Sequence, residues 1–241
     1  MTDIRYLALA TDYDGTLASQ GTVDQETVAA LQRLAATGRK LILVTGRQIE
    51  DLEHVFPEVA IFDRVVAENG PVLYRPSSGV TRLLAQPPPT PFVDALRQRG
   101  VEPLFLGHVV VATVEPNDVV VREVIRELRL DLQVILNKGS VMVLPTSVDK
   151  ATGLAALLPE LSLSPENVVG VGDAENDLTF LARCGLSVAV ANALDGVKQG
   201  ADYVTRGRSS AGVRELIDLL VRGELPNRGS AATRRVSPAN S

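Results

Sequence analysis

The chain of 241 residues has a single cysteine, Cys184, so it can form no internal disulfide. That usage fits a reducing compartment, and the expected location is cytoplasmic. Within Phe180-Leu181-Ala182-Arg183-Cys184 the thiol reads as a small apolar helix residue and not as a nucleophile. Histidine is nearly as scarce. His54 and His108 stand at unrelated positions, which excludes a histidine-based zinc centre. His54, beside Val55-Phe56, reads as packed or solvated, whereas His108, directly after Gly107, is a candidate to face a ligand crevice. No apolar run approaches the ~18 residues of a membrane span. The first apolar stretch, broken by Arg5 and stopped by Thr11-Asp12, is a core strand rather than a secretory signal. Dense Lys/Arg stripes are absent too, and the net charge is −5, so nucleic acid is excluded as the main partner. A small phosphorylated partner stays compatible, because local cations and a metal suffice to hold one phosphate. No internal repeat is visible.

Hydrophobic residues make up 45% of the chain, enough at this length for one good core and a smaller lobe. Apolar runs alternate with helical spacings: strand 4–11, helix Asp24 to Ala36, strand 40–45, helix 47–55 and strand 64–67. The pattern resumes with helix 151–158, strand 168–172, helix 175–183, strands 186–190 and 202–205, and helix 211–221. Asp24 is the expected N-cap, Val28, Leu31 and Leu34 recur at helical spacing, and Gly38 stops the helix. Such alternation predicts an α/β fold, a doubly wound parallel sheet with helices on both faces. Right-handed crossovers then favour the strand order 3-2-1-4-5, which lays the strand ending at Asp12 beside the one ending at Asp173. Between Tyr74 and Pro145 the rhythm changes. Pro76, Ser77, Ser78, Gly79 and Pro87-Pro88-Pro89 mark a break, followed by helix 93–99, strands near 104–106 and 108–114, helix 117–129, and strands 132–136 and 140–144. This reads as a small α+β domain of αββαββ order, inserted at 81–144 into a core of residues 1–80 and 145–222. Residues 223–241 lack periodicity and are expected to be a disordered tail, or a linker to a further domain or partner. Nothing in the chain speaks to its oligomeric state.

The chemistry concentrates in Asp12-Tyr13-Asp14-Gly15-Thr16, directly behind the first strand. Ligands of an open α/β sheet bind at the carboxyl ends of its strands, so two acids spaced two apart there are placed for work. One carboxylate can attack phosphorus while the other shuttles a proton. Three further stretches follow at strand ends: Thr45-Gly46-Arg47, Lys150, and Asp173-Ala174-Glu175-Asn176-Asp177. Gly170-Val171-Gly172 suggests a dinucleotide site, but Glu175 stands where a third glycine belongs, which disfavours that reading.

The quartet of motifs resembles the haloacid dehalogenase superfamily of phosphohydrolases, over nearly the whole chain to about Val221. Val66-Ala67-Glu68-Asn69-Gly70, the insertion and the length are similar to its Cof-type, class IIB branch, whose C2 cap is a mixed α/β domain. The resemblance implies a Rossmann-like core and a magnesium-dependent phosphatase acting through an aspartyl-phosphate. On this reading Asp12 is the nucleophile and a magnesium ligand, Asp14 is the general acid/base, and Lys150 neutralises the phosphoryl charge. The resemblance further implies that the Asp14 carbonyl and the Asp173 carboxylate ligate the metal, with Asp177 acting behind them or through water. The Thr45 hydroxyl and Gly46 amide are expected to donate to phosphate, and Asn176 matches a position that holds phosphate or orients the lysine. Arg47 and Glu68 to Gly70, Asn69 included, face the same crevice and are candidates to read the substrate. Ala151-Thr152-Gly153 departs from relatives in which glycine follows the lysine directly, which puts the local loop shape in question. Sugar phosphates lead as the substrate class, with phosphoglycolate next. A phosphomutase or phosphotransferase on the same site, or a non-catalytic phosphate-binding regulator, is the alternative. A mutase would need a second cationic pocket, which Arg97, Arg99, Arg122, Arg126, Arg129 and Lys138 in the insertion do not obviously form.

Overall fold

Strand β1, Ala8–Thr11, is buried at every residue and lies near the centre of an eight-stranded sheet. The structure, a computed structural model, describes residues 5–225; the expected tail lies outside the described residues from 226 on, as does Ile4 of the first expected strand. β1 is flanked by β2, Lys40–Val44, and by β10, Val168–Gly172, both parallel to it. Thr11 pairs with Val171 on one side and Leu43 on the other, so Asp12, Thr45 and Asp173 emerge together at the carboxyl edge. β3, Arg64–Ala67, continues the parallel sheet beyond β2, and β11, Leu186–Ala189, with β12, Tyr203–Val204, continues it beyond β10. Numbered as the sequence reading numbered them, the first five parallel strands stand in the expected order 3-2-1-4-5.

Helices pack on both faces for legible reasons. α1, Gln25–Ala36, starts where the Asp24 carboxylate accepts the Thr27 amide at 2.7 Å, and it buries Val28, Leu31 and Leu34. It packs against α8, Ser209–Arg222, which ends as Gly223 turns left-handed and the Gly223 and Glu224 amides return to Leu220 and Leu219. α2, Ile49–Val55, follows β2. α5, Lys150–Leu157, opens with a reciprocal capping box between Asp149 and Thr152, and α6, Leu178–Arg183, follows β10 after one tight turn.

A strand hairpin and a short helix depart from the sequence reading. The stretch from Tyr74, expected to begin the break, instead completes an antiparallel hairpin of β4, Val72–Arg75, and β5, Val80–Leu83, which extends the large sheet at its β3 edge. Its turn is the Pro76 to Gly79 run, with the Ser78 and Gly79 amides donating to Arg75. β5 is an exposed edge strand throughout, Val80 being 58% accessible, so it carries no buried face to produce a period-two signal. The large sheet therefore reaches Leu83, past residue 80 where the core was expected to break off. The other departure is α7, Asp195–Gly200, a short helix whose two glycines conceal it from propensity.

The remaining segment builds a second, antiparallel sheet, the cap sheet, ordered β6-β7-β9-β8. Its strands are β6, Phe105–Leu106, β7, Val111–Val114, β8, Leu132–Asn137, and β9, Ser140–Pro145. α3, Thr90–Gln98, and α4, Asp118–Glu127, cover one side, closing a separate apolar cluster around Phe92, Leu96, Val121, Val124, Val141 and Val143.

Partial burial works against ionisation of Asp24, but hydrogen bonds from Thr27 and Arg214 hold its carboxyl below the ordinary range. Asp24→Ala should lower the unfolding free energy by about 1 kcal/mol in urea titration. Asp24→Asn keeps the cap and loses only the charge. Because the folded-state value is depressed, the wild-type advantage over Asp24→Asn is present above the ordinary carboxylate pKa and should vanish as pH falls through the lowered one. An advantage that persists under full protonation would contradict this origin.

Candidate active site

The site is assembled from the carboxyl ends of β1, β2 and β10 and the start of α5. After β1 the chain curls back, with Leu17 N donating to the Asp12 carbonyl and Ala18 N to that of Tyr13. Gly15 makes the curl possible. Its φ is +88°, and a β-carbon there would lie 2.4 Å from Asp173 Oδ2. Gly70 and Gly153 serve α5 in the same way, since a β-carbon on Gly70 would stand 2.0 Å from the Asp149 carbonyl and one on Gly153 would stand 2.5 Å from the Gly70 carbonyl. Their closeness delivers Lys150, the first residue of α5, into the centre. The displaced glycine that seemed to put the loop shape in question is thus a contact glycine, and the loop itself is a regular capped helix start.

Lys150 Nζ donates to Asp12 Oδ1 and Asp177 Oδ1, both at 2.6 Å, and its side chain is 1% exposed. Asp177 Oδ2 in turn accepts the amides of Asp173 and Ala174 at 2.9 and 3.0 Å, which braces the loop after β10. Burial, then the neighbouring Asp177 charge, push the Asp12 carboxyl above its ordinary range, against the pull of Lys150. Burial would discharge Lys150, but Asp12 and Asp177 outweigh it and keep the ammonium charged. Burial also raises Asp173, opposed by Lys138. Asp12, Asp173 and Asp177 are all buried and offer oxygens within 4.8 Å of one another. Three carboxylates against one fully buried ammonium leave negative charge uncompensated, and an all-oxygen donor set suits a hard cation. These acids fit a metal centre.

The other sequence-identified residues gather around this cluster. Both Asp14 carboxylate oxygens accept from Arg47, from Nε and Nη2 at 2.8 Å each. Arg47 also donates to Asp51 at 2.5 Å and lies over the Tyr13 ring. Asp12, Asp14, Gly46 and Arg47 line a cavity of about 470 Å³ whose far wall is the cap sheet, including Phe105, Val110, Ala112 and Met142. Thr45 is fully buried and its hydroxyl accepts the Arg47 amide at 3.1 Å. Asn69 lies beside Gly46, donates to Met142 Sδ and accepts from Asn176 Nδ2 at 3.0 Å.

Glu68, a candidate to read the substrate, is instead fully buried. Its carboxylate accepts the amides of His108, Val109 and Val110 at 2.8, 2.8 and 2.7 Å, anchoring the β6–β7 turn of the cap sheet to the core. His108 does not face the cavity either; its ring stands 3.6 Å from Glu50 of α2. Sequence reasoning missed four contributors. Lys138, at the tip of the β8–β9 hairpin, reaches the core and donates to the Asp14 carbonyl at 2.7 Å and to Asp173 Oδ2 at 2.9 Å. The insertion does therefore bring a cation to the crevice, contrary to the reading of its basic residues as scattered. Thr16 donates to Asp173 Oδ1 at 3.2 Å, and Asn192 and Ser209 both donate to the Gly15 carbonyl. Thr16 lay within the motif and could have been read; Lys138 could not, because only tertiary packing decides where a hairpin tip lands.

Residues 9–108 and 118–217 match the family model of haloacid dehalogenase-like hydrolases. The chain belongs to that family. A curated relative, the phosphoglycolate phosphatase of Methanothermobacter thermautotrophicus, is 30% identical over 216 residues, covering 87% of this chain and 96% of its own. A haloacid dehalogenase-like hydrolase from Bacteroides thetaiotaomicron shares the fold with a TM-score of 0.79 at 22% identity, over 88% of this chain and 98% of that one. The structure of a HAD subclass IIB sugar phosphatase matches with a TM-score of 0.71 at 19% identity, over 90% and 99% of the two chains. The haloacid dehalogenase-like enzyme is a phosphoric monoester hydrolase with the Cof-type architecture.

Glu68 yields a direct test of how the cap sheet is held. Glu68→Ala leaves three backbone amides, two of them buried, without their charged acceptor, and should lower the unfolding free energy by about 2 kcal/mol or more. Hydrogen exchange at His108, Val109 and Val110 should accelerate more than elsewhere. Unchanged exchange at those amides would show that the anchor lies elsewhere.

Proposed function

We propose that this enzyme is a magnesium-dependent phosphatase of a small phosphorylated acid of the phosphoglycolate type, working through a phosphoryl group held on Asp12. The observation that carries the reading is Lys150 wedged at 2.6 Å between Asp12 and Asp177, with Asp14 gripped by Arg47 at the cavity mouth. The name of the Methanothermobacter relative and the two cations in the cavity wall, Arg47 and Lys138, support the acid. Gln48, Asn137 and Ser140 in the same wall offer hydroxyl partners and favour sugar phosphates as the second reading.

Lys150 grips Asp12 Oδ1 and so fixes the plane of the carboxylate that attacks. The bond from Asp12 oxygen to phosphorus forms as the ester P–O bond breaks, and Asp14, protonated on an oxygen that Arg47 gives up as substrate enters, passes that proton to the leaving alkoxide. Asp14, now ionised and held by Arg47, takes a proton from water as that water attacks phosphorus. Inorganic phosphate leaves and Asp12 is restored. The Asp12 and Asp173 carboxylates and the Asp14 carbonyl would hold magnesium, which would supply the charge neutralisation that lets two anions meet. Gly46 lines the cavity with Asn69 beside it, and on this reading the Gly46 amide, the Thr45 hydroxyl, Asn69 and Asn176 orient the phosphoryl oxygens.

Asp12→Asn should cut phosphate release by about three orders of magnitude or more with the melting temperature intact, because the amide is neither nucleophilic nor anionic. Turnover within about tenfold of wild type would remove Asp12 from the role. Across a panel of phosphorylated metabolites, 2-phosphoglycolate should show the highest kcat/KM; a preference for hexose phosphates would favour the second reading. Activity should disappear in chelator, return with magnesium, and fail to return with calcium, whose larger coordination shell loosens the aim of the attacking carboxylate.

A further inference from the structure

Lys138 stands where its own chain position gives no hint of it. It occupies the tip of the β8–β9 hairpin, with φ of 49° followed by Gly139 at 85°, and belongs to the cap sheet, yet its ammonium touches only core oxygens in its hydrogen bonds to Asp14 and Asp173. Those two oxygens come from loops after different strands, β1 and β10. The second Asp173 oxygen is already oriented by Thr16. Gly15 leaves the room, since a β-carbon on it would come within 2.5 Å of Lys138 Nζ. The ammonium is thus received by a formed oxygen pocket and not by a chance surface acid.

The Asp14 carbonyl and Asp173 carboxylate are also two of the oxygens that the proposed function assigns to the divalent cation, and on that assignment this inference rests. An ion bound to both at about 2.1 Å would lie too close to an ammonium sharing the same pair for both to remain. We propose that Lys138 is a built-in competitor for the cation site, a tethered monovalent charge that fastens the cap sheet to the core until a divalent ion displaces it. Metal loading then does two things at once. It fills the site with the second charge the buried acids call for, and it frees the hairpin that forms one wall of the substrate cavity. The β8–β9 hairpin can move for substrate and product only when the core is loaded, while the Glu68 anchor keeps the β6–β7 turn in place.

The test is manganese binding, followed by the paramagnetic signal of the free ion, on wild type, Lys138→Met, Lys138→Gln and Asp173→Asn. Lys138 is half exposed, so its neutral variants retain the fold. Removing an occupant that holds the site most of the time should tighten manganese binding about fivefold or more in both neutral variants. Hydrogen exchange across Asn137 to Ser140 should rise when magnesium is added to wild type, and should be high and indifferent to magnesium in Lys138→Met. Equal or weaker manganese affinity in the two neutral variants overturns the competition, and wild-type exchange that ignores magnesium overturns its coupling to the cap. Asp173→Asn separates the two levels. If it leaves manganese affinity unchanged, the cation site itself is misplaced and this inference falls with it; if it weakens binding while the Lys138 variants do nothing, the site stands and only the competitor is lost.

Discussion

Lys150 between Asp12 and Asp177 is the contact around which the rest is arranged. Burying an ammonium and two carboxylates costs several kcal/mol per ion in lost hydration, and the loss is offset only by tight geometry and full hydrogen bonding. Both conditions are met. The two contacts are 2.6 Å long, and the outer oxygen of Asp177 is satisfied by two backbone amides. Much of the sequence serves that arrangement from a distance. The Asp149–Thr152 box starts α5 at Lys150, while Gly70 and Gly153 let that helix start sit against the β3–β4 turn. Gly172 lies so near the Asp177 carboxyl that a β-carbon would stand 2.6 Å from it.

The same cluster is electrostatically incomplete, and on the proposed function that incompleteness is what it works with. Burial and Asp177 leave Asp12 a reluctant anion, and burial does the same to Asp173. A site meant only to stabilise the fold would balance its charges. This one keeps a deficit that suits a cation, with Arg47 holding the Asp14 carboxylate apart from the buried acids. Lys138 fits the same logic from the other lobe, as a positive charge that can be withdrawn.

The core was legible because its signals are local and redundant. β1 is a short apolar run followed at once by Asp12 and Asp14, and the parallel alternation fixes Asp173 one strand away. Asp24 capped α1 as its chemistry demands, whereas Gly223, expected to open the tail, instead closes α8. What escaped depended on packing. β5 has no buried face, and α7 has two glycines in six residues. Glu68 looked like a crevice acid because it follows a strand end, yet three amides from a turn forty residues onward claim its carboxylate. Lys138 lay among basic residues that mostly follow a solvated face, and only the path of the hairpin sets it apart.

The central claim is that Asp12 receives the phosphoryl group while Asp14 moves the protons, and the intermediate itself is the most direct witness. Asp14→Asn should still allow transfer from a good leaving group but should lack the base for the attack of water, so the acyl phosphate accumulates. Rapid acid quench of that variant with an aryl phosphate, followed by peptide mass mapping, should place one phosphoryl group on the peptide carrying Asp12, at Asp12. A quenched enzyme that turns over yet carries no phosphoryl group, or carries it on another residue, would contradict the account.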